Sequence, residues 1–279
     1  MEFIYKIFEI LLPFDFITYD FMKNALLGTI IVSPLFAFLG TMAVNNKMAF
    51  FSDALGHSAF TGIALGVLLG LKNPLISMLV FGIFLSLIIT KVKSINTAST
   101  DTIISVFSSL SMAIGIVILS KNGGFSKYSS YLIGDILTVT PREILIIFVV
   151  LIFTIAIWYK IYNKLLIISI NTSLASSRSI KTVLIENIFV ILVAIAVMLS
   201  IKWIGILTIN SMLILPSASA RNISRNSRSY LLTTIVISLI SGILGLILSY
   251  YMDTSASATM VLISSIFFFL TLAIRKIRA

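Results

Sequence analysis

Apolar runs of about twenty residues, separated by short basic clusters, leave this chain few folds to choose from. A run of that length spans the hydrocarbon core of a bilayer as a helix. Nine such runs can be read, at about residues 24–45, 48–71, 74–92, 102–120, 142–162, 183–201, 203–220, 229–251 and 256–274. The two that meet near Lys202 also read as one broken unit, so eight to nine spans are expected. The fold class is therefore an all-α integral membrane protein, a polytopic bundle of about 8–9 transmembrane helices. Only 11% of the residues are charged, against roughly 25% in soluble domains. Soluble enzymes, secreted disulfide scaffolds and disordered tails are excluded. With no cysteine and one histidine, His57, thiolate metal sites are excluded too, and any imidazole chemistry must use that one ring.

Residues 1–22 are apolar in patches but interrupted by Glu2, Lys6, Glu9 and Asp15. They read as an interfacial amphipathic segment, with residues 23–279 forming the transmembrane domain. Thirteen of the 20 Lys and Arg residues fall on one side of the implied topology, at Lys47, Lys91, Lys93, Lys160, Lys164, Arg178, Lys181, Arg221, Arg225, Arg228, Arg275, Lys276 and Arg278. Basic loops stay in the cytoplasm, which puts the C-terminus inside. The expected loops near 121–141 and 163–182 are the longest.

One segment carries chemistry: Ser52-Asp53-Ala54-Leu55-Gly56-His57-Ser58-Ala59. An ionisable side chain inside a span is expensive and points to function. Asp53 and His57 stand at i and i+4, on one face of a helix. Carboxylate oxygen and imidazole nitrogen are donors that a divalent transition metal accepts where thiolates are absent. Two ligands leave the shell open for water or another helix, which suits an ion that must be released. The other reading of the pair is a structural Asp–His contact between packed helices. Gly56, Gly62 and Gly66 permit either close helix approach or a break in the helix. We expect the break, because an unbroken helix would hold Asp53 about 27 Å from its outer end.

Other polar residues have two readings each. Asp135, in the outer loop, either receives an ion or external partner, or caps the next helix. Asp253, after Tyr250 and Tyr251, is a cap or anchor, or else a ligand. Asn210, near Pro216, either bonds a neighbouring helix or supplies a weak oxygen to the pathway. Glu186 is explained by the positive end of its helix. The stretch 169–180 reads as a short inner-face helix that a cytoplasmic partner would grip, or as a plain connector.

No G-x-x-x-x-G-K-[ST] is present, so nucleotide binding by a P-loop is not expected of this chain. Three classes compete: an ion permease powered by a partner, an intramembrane enzyme using the Asp/His pair as acid and base, and a carrier driven by an ion gradient. Four ordered blocks then resemble the permeases of the zinc/manganese/iron ABC importer family. They are Ser52–Gly66, Tyr131–Leu137, Ile204–Pro216 with Ala220-Arg221-Asn222, and Ser249–Asp253 with Ala258–Leu262. The resemblance covers about residues 24–275.

It implies a type II ABC importer-like permease, homodimeric, in the bacterial cytoplasmic membrane. It further implies a cytoplasmic ABC ATPase and an external or periplasmic metal-binding protein as partners. No permanent cofactor is implied, only a transported ion. The family's metal site matches Asp53 and His57, with Asp135, Asn210 and Asp253 as possible pathway residues. Its ATPase-coupling segment matches Asn171, Leu174, Ala175 and Arg178. Gly56–Gly62 with Ile209-Asn210-Ser211 is most similar to zinc members, with manganese or iron as the alternative. Two departures stand out: Asn171 replaces a usual acid, and serines at 177 and 179 lie where the family has a glycine.

Overall fold

The computed structural model describes residue 5 and residues 15–71, 73–95, 98–121 and 125–278. Most of the proposed 1–22 segment lies outside the described residues. Its end is a 3-10 turn, Asp15–Thr18, leading straight into the first long helix.

Nine long helices follow, one for each of the apolar runs. They are α1 (Asp20–Asn45), α2 (Phe51–Leu68), α3 (Leu75–Ser94), α4 (Thr100–Lys121), α5 (Pro141–Ile170), α7 (Thr182–Ile204), α8 (Ile206–Ile223), α9 (Ser227–Met252) and α10 (Ala256–Arg278), with a short α6 (Thr172–Ser177) between α5 and α7. Among the described residues seven are long and apolar enough to cross a membrane. The two that fall short of the expected count are α2 and α8, of 18 residues each. They carry Asp53, His57, Asn210 and Pro216, and their polar residues lower the hydropathy that the other runs keep. Both are packed inside the bundle, where lipid does not test them.

Local chemistry sets the ends. Thr140 caps α5, accepting from Glu143 N–H while the Glu143 carboxylate accepts from Thr140 N–H, with Pro141 at the first helical position. That is a capping box with the proline where its missing N–H is harmless. Lys202 Nζ donates to Glu143 Oε1 at 2.7 Å, which ties the end of α7 to the start of α5. At the other face Lys93 Nζ lies 3.4 Å from Glu186 Oε1, joining α3 to α7. Glu186 thus has an ionic partner on another helix, which the helix-end argument alone did not supply.

The core is one large apolar cluster running through the bundle, with a small second cluster at Ala220, Tyr230 and Ile237. Packing between membrane helices relies on dispersion and close approach, since lipid is as apolar as leucine. Small residues therefore sit at the crossings. A Cβ on Gly62 would stand 2.6 Å from Met78 Cα, and one on Gly115 would stand 2.6 Å from Thr61 N. The second crossing presses α4 onto α2, one turn beyond His57.

Two expectations need correction. α2 is unbroken from Phe51 to Leu68, because its glycines serve crossings rather than a kink. The break lies between α7 and α8, at Gly205, whose φ of 93° and ψ of 150° suit glycine alone. Also, the loop at 163–182 is shorter than expected, since α5 runs on to Ile170. At 30 residues it is about 45 Å long, well beyond a hydrocarbon core of about 30 Å.

Candidate transport site

Asp53 lies in the first turn of α2 and His57 one turn further on, as the i, i+4 spacing requires. His57 Nε2 stands 3.5 Å from Asp53 Oδ2, with side-chain exposures of 21% and 37%. The pair is neither sealed nor freely solvated, so an ion reaches it without unfolding anything. His57 Nδ1 is buried with no hydrogen-bond partner. A metal-bound imidazole ordinarily steadies its other N–H on a carboxylate or carbonyl, and lacking that support weakens the ligand by about 10–100-fold.

Both side chains open into a cavity of about 620 Å³ between α2 and α4. Its far wall is α4, with Asp101, Ser105, Ser109 and Met112. Asp101, Ser105 and Ser109 stand at i, i+4 and i+8, on one face, and all three are exposed. Asp101 lines the cavity and was not singled out by the sequence reading. Taken alone it is an ordinary first-turn acid. The stripe of oxygen-bearing residues behind it, on an otherwise apolar span, was the available signal.

Most hydroxyls within the helices bond a carbonyl of their own helix, as those of Ser58, Ser86 and Thr90 do. The cavity therefore offers two carboxylates, an imidazole and several hydroxyls from two helices. No three His, Cys, Asp or Glu side chains are close enough to hold one ion together among the described residues.

The remaining candidates are dispersed. Asn210 Oδ1 accepts from Ser52 Oγ at 2.5 Å, so α8 grips α2 at the residue before Asp53. Ile206 packs on the same helix, its Cγ2 standing 3.3 Å from where a Cβ of Gly56 would be. Asp135 is exposed and its carboxylate accepts from Leu137 N–H, capping the 3-10 turn Ile136–Thr138. Asp253 ends α9 in the left-handed conformation, φ 51° and ψ 44°. Neither lies on the cavity.

The expected inner-face helix is α6. Asn171 caps it, accepting from Leu174 N–H at 3.1 Å. Ala175 is fully buried, Leu174 is 43% exposed, and Arg178 ends the helix in the open.

A model of one family, the ABC 3 transport family, matches residues 18–275. The chain belongs to that family. It is a transport protein rather than a catalyst. The high-affinity zinc uptake system membrane protein ZnuB of Haemophilus influenzae is 33% identical over 92% of this chain and 99% of its own length. The manganese import system permease protein ScaB of Streptococcus parasanguinis is 25% identical over 91% and 90%. Among solved structures, PsaBC from Streptococcus pneumoniae in complex with Fab matches with a TM-score of 0.80 and 25% identity, over 94% of this chain and 96% of that one.

Proposed function

We propose that the chain is the membrane permease of an ATP-driven importer for a divalent transition metal, with zinc as the cargo. The observation that carries this reading is the α2–α4 cavity. It brings Asp53, His57 and Asp101 to one water-accessible space inside a member of the ABC 3 transport family. Zinc is favoured by the zinc uptake relative. Manganese is the second reading, favoured by the manganese permease relative.

Asp53 and His57 supply the first oxygen and nitrogen ligands, and water or a second copy supplies the rest. A polar face on a spanning helix does not face lipid, so the exposed stripe of α4 supports a homodimer closing over the cavity. An external or periplasmic metal-binding protein delivers the ion. Asp101 is the acid through which the ion passes on its way out of the cavity. Replacing Asp101 with alanine is expected to lower uptake about tenfold without preventing it. Metal accumulation measured as a function of external zinc reads this, and uptake equal to wild type would remove the role.

The bundle carries 13 of its 20 basic residues at one face, which supports a multi-pass protein of the bacterial cytoplasmic membrane with its C-terminus inside. On that face a separate ABC ATPase grips α6. Buried Ala175 hands motion to the ends of α5 and α7. The Gly205 break passes it to α8, and Asn210 passes it to Ser52, next to Asp53. Replacing Leu174 and Arg178 together with aspartate is expected to abolish transport-coupled ATP hydrolysis while leaving the ATPase its basal rate. Stimulation by metal-loaded binding protein, assayed in proteoliposomes, reads this directly. Unchanged stimulation would sink the coupling role.

The overall test is elemental mass spectrometry of cells expressing the chain together with its ATPase partner. Zinc accumulation above the empty-vector level is the expected outcome. Accumulation of manganese in its place would transfer the assignment to manganese.

A further inference from the structure

At the end of the bundle where the arginines gather, α1, α5, α8 and α9 leave a second cavity, of about 370 Å³. Its walls include Asn45, Arg221, Ser224, Arg225 and Tyr230, and no acid lines it. Neither arginine has a carboxylate partner among the described residues. Arg221 Nη1 donates to Val44 O at 3.4 Å, which leaves the rest of its guanidinium fork free to face the cavity. Tyr230 is only 8% exposed, yet its hydroxyl is buried without a hydrogen bond, and so is Ser224 Oγ. A buried hydroxyl without a partner loses its solvation for nothing in return. Both residues stand on the wall of this one basic cavity.

The donors are guanidinium N–H, hydroxyl O–H and amide N–H. Their common complement is an anion with several acceptor oxygens, and a phosphate fits best. The surroundings identify its source. α1 packs on both α5 and α9, and its end at Asn45 forms part of the cavity wall. The flanking helices are apolar and exposed above it, with Tyr159 on α5 and Leu232 and Val236 on α9. Arg228 follows the lining residue Ser227 in the chain, and Arg275 Nη1 donates to Asn222 Oδ1, next to Arg221. A basic pocket between spanning helices, at the level of the headgroups, is the form that recognises anionic lipid.

We propose that this cavity seats the headgroup phosphate of an anionic phospholipid, with its acyl chains lying along α1. The assignment to the cytoplasmic leaflet rests on the orientation proposed above. Binding itself requires neither metal nor ATP, so its failure and the failure of the transport reading are distinguishable.

The test uses the full chain in neutral detergent, titrated with phosphatidylglycerol or with phosphatidylcholine of the same acyl chains. Native mass spectrometry counts the bound lipid and thermal unfolding reads its effect. Phosphatidylglycerol is expected to stay bound and to raise the unfolding midpoint, and phosphatidylcholine to do neither. Combining Tyr230→Phe with Arg225→Gln should raise the phosphatidylglycerol concentration needed by about 100-fold or more, since each removes a hydrogen bond to a charged group. Tyr230→Phe keeps the ring packing and removes an unpaired hydroxyl. Without lipid it should be no less stable than wild type, and only its response to lipid should shrink. Three results would overturn the proposal: equal binding of the two lipids, unchanged affinity in the double variant, or inorganic phosphate giving the whole shift alone.

Discussion

Replacing Asp53 or His57 with alanine is expected to abolish metal accumulation while leaving the chain folded and in the membrane. In the proposed site each residue supplies one of the two ligands that α2 offers. Loss even of a supporting contact around a metal costs about 10–100-fold, and loss of a ligand itself costs more. Accumulation at limiting metal should therefore fall by about 100-fold or more. Neither substitution leaves a buried charge unpaired, because both side chains reach the cavity. Asp135→Ala and Asp253→Ala are the matched controls. Those acids sit at helix ends away from the cavity, and accumulation should stay near wild type. Elemental mass spectrometry of zinc, manganese and iron together reads all four variants. If the Asp53 and His57 variants accumulate metal like wild type, the site assignment fails, and an Asp–His contact of purely structural meaning takes its place.

Hydropathy made the bundle legible because each span is long, apolar and closed by charge. All nine runs are helices, α1 to α5 and α7 to α10. What hydropathy could not show is where a chain bends. Gly56, Gly62, Gly66 and Gly205 are alike in sequence. Three of them let a neighbour approach while the helix continues, and only Gly205 adopts a positive φ. The extension of α5 to Ile170 was hidden for a related reason. Lys160 and Lys164 mark the end of the hydrocarbon region, and helices are free to continue into water.

The site was legible only where two of its groups share one helix. Asp53 and His57 announce each other at i, i+4. Asp101 belongs to another helix, and only the crossing of α4 over α2 at Gly115 and Thr61 brings it to the same cavity. The partnership of Asn210 with Ser52, 158 residues apart, is tertiary in the same sense. Hydrogen bonding to a neighbouring helix was one of the two readings of Asn210, but no local pattern names the neighbour.

Gly205→Ala is expected to cost the protein more stability than any other single methyl group. At φ 93° and ψ 150° the backbone lies in a region that is essentially confined to glycine, where a side chain costs about 1–3 kcal/mol. A Cβ there would also overlap the Ile133 carbonyl oxygen, and a Cβ on Gly134 would overlap Gly205 N in return. Both obstacles are backbone, so no rotamer change relieves them. Gly70 separates the two contributions. It too has a positive φ, of 68°, but nothing lies within 4 Å of its Cβ position, so Gly70→Ala should show only the conformational cost, about 1–2 kcal/mol. By the scaling for large domains that is a fall of roughly 2–8 °C in unfolding midpoint. Gly205→Ala and Gly134→Ala should each fall well beyond it, by more than about 10 °C, or fail to yield folded protein. A Gly205→Ala midpoint no lower than that of Gly70→Ala would mean that the two backbones are not in fixed contact. The outer loop would then be free of the α7–α8 break, and the step from α7 to α8 in the proposed coupling route would not be rigid.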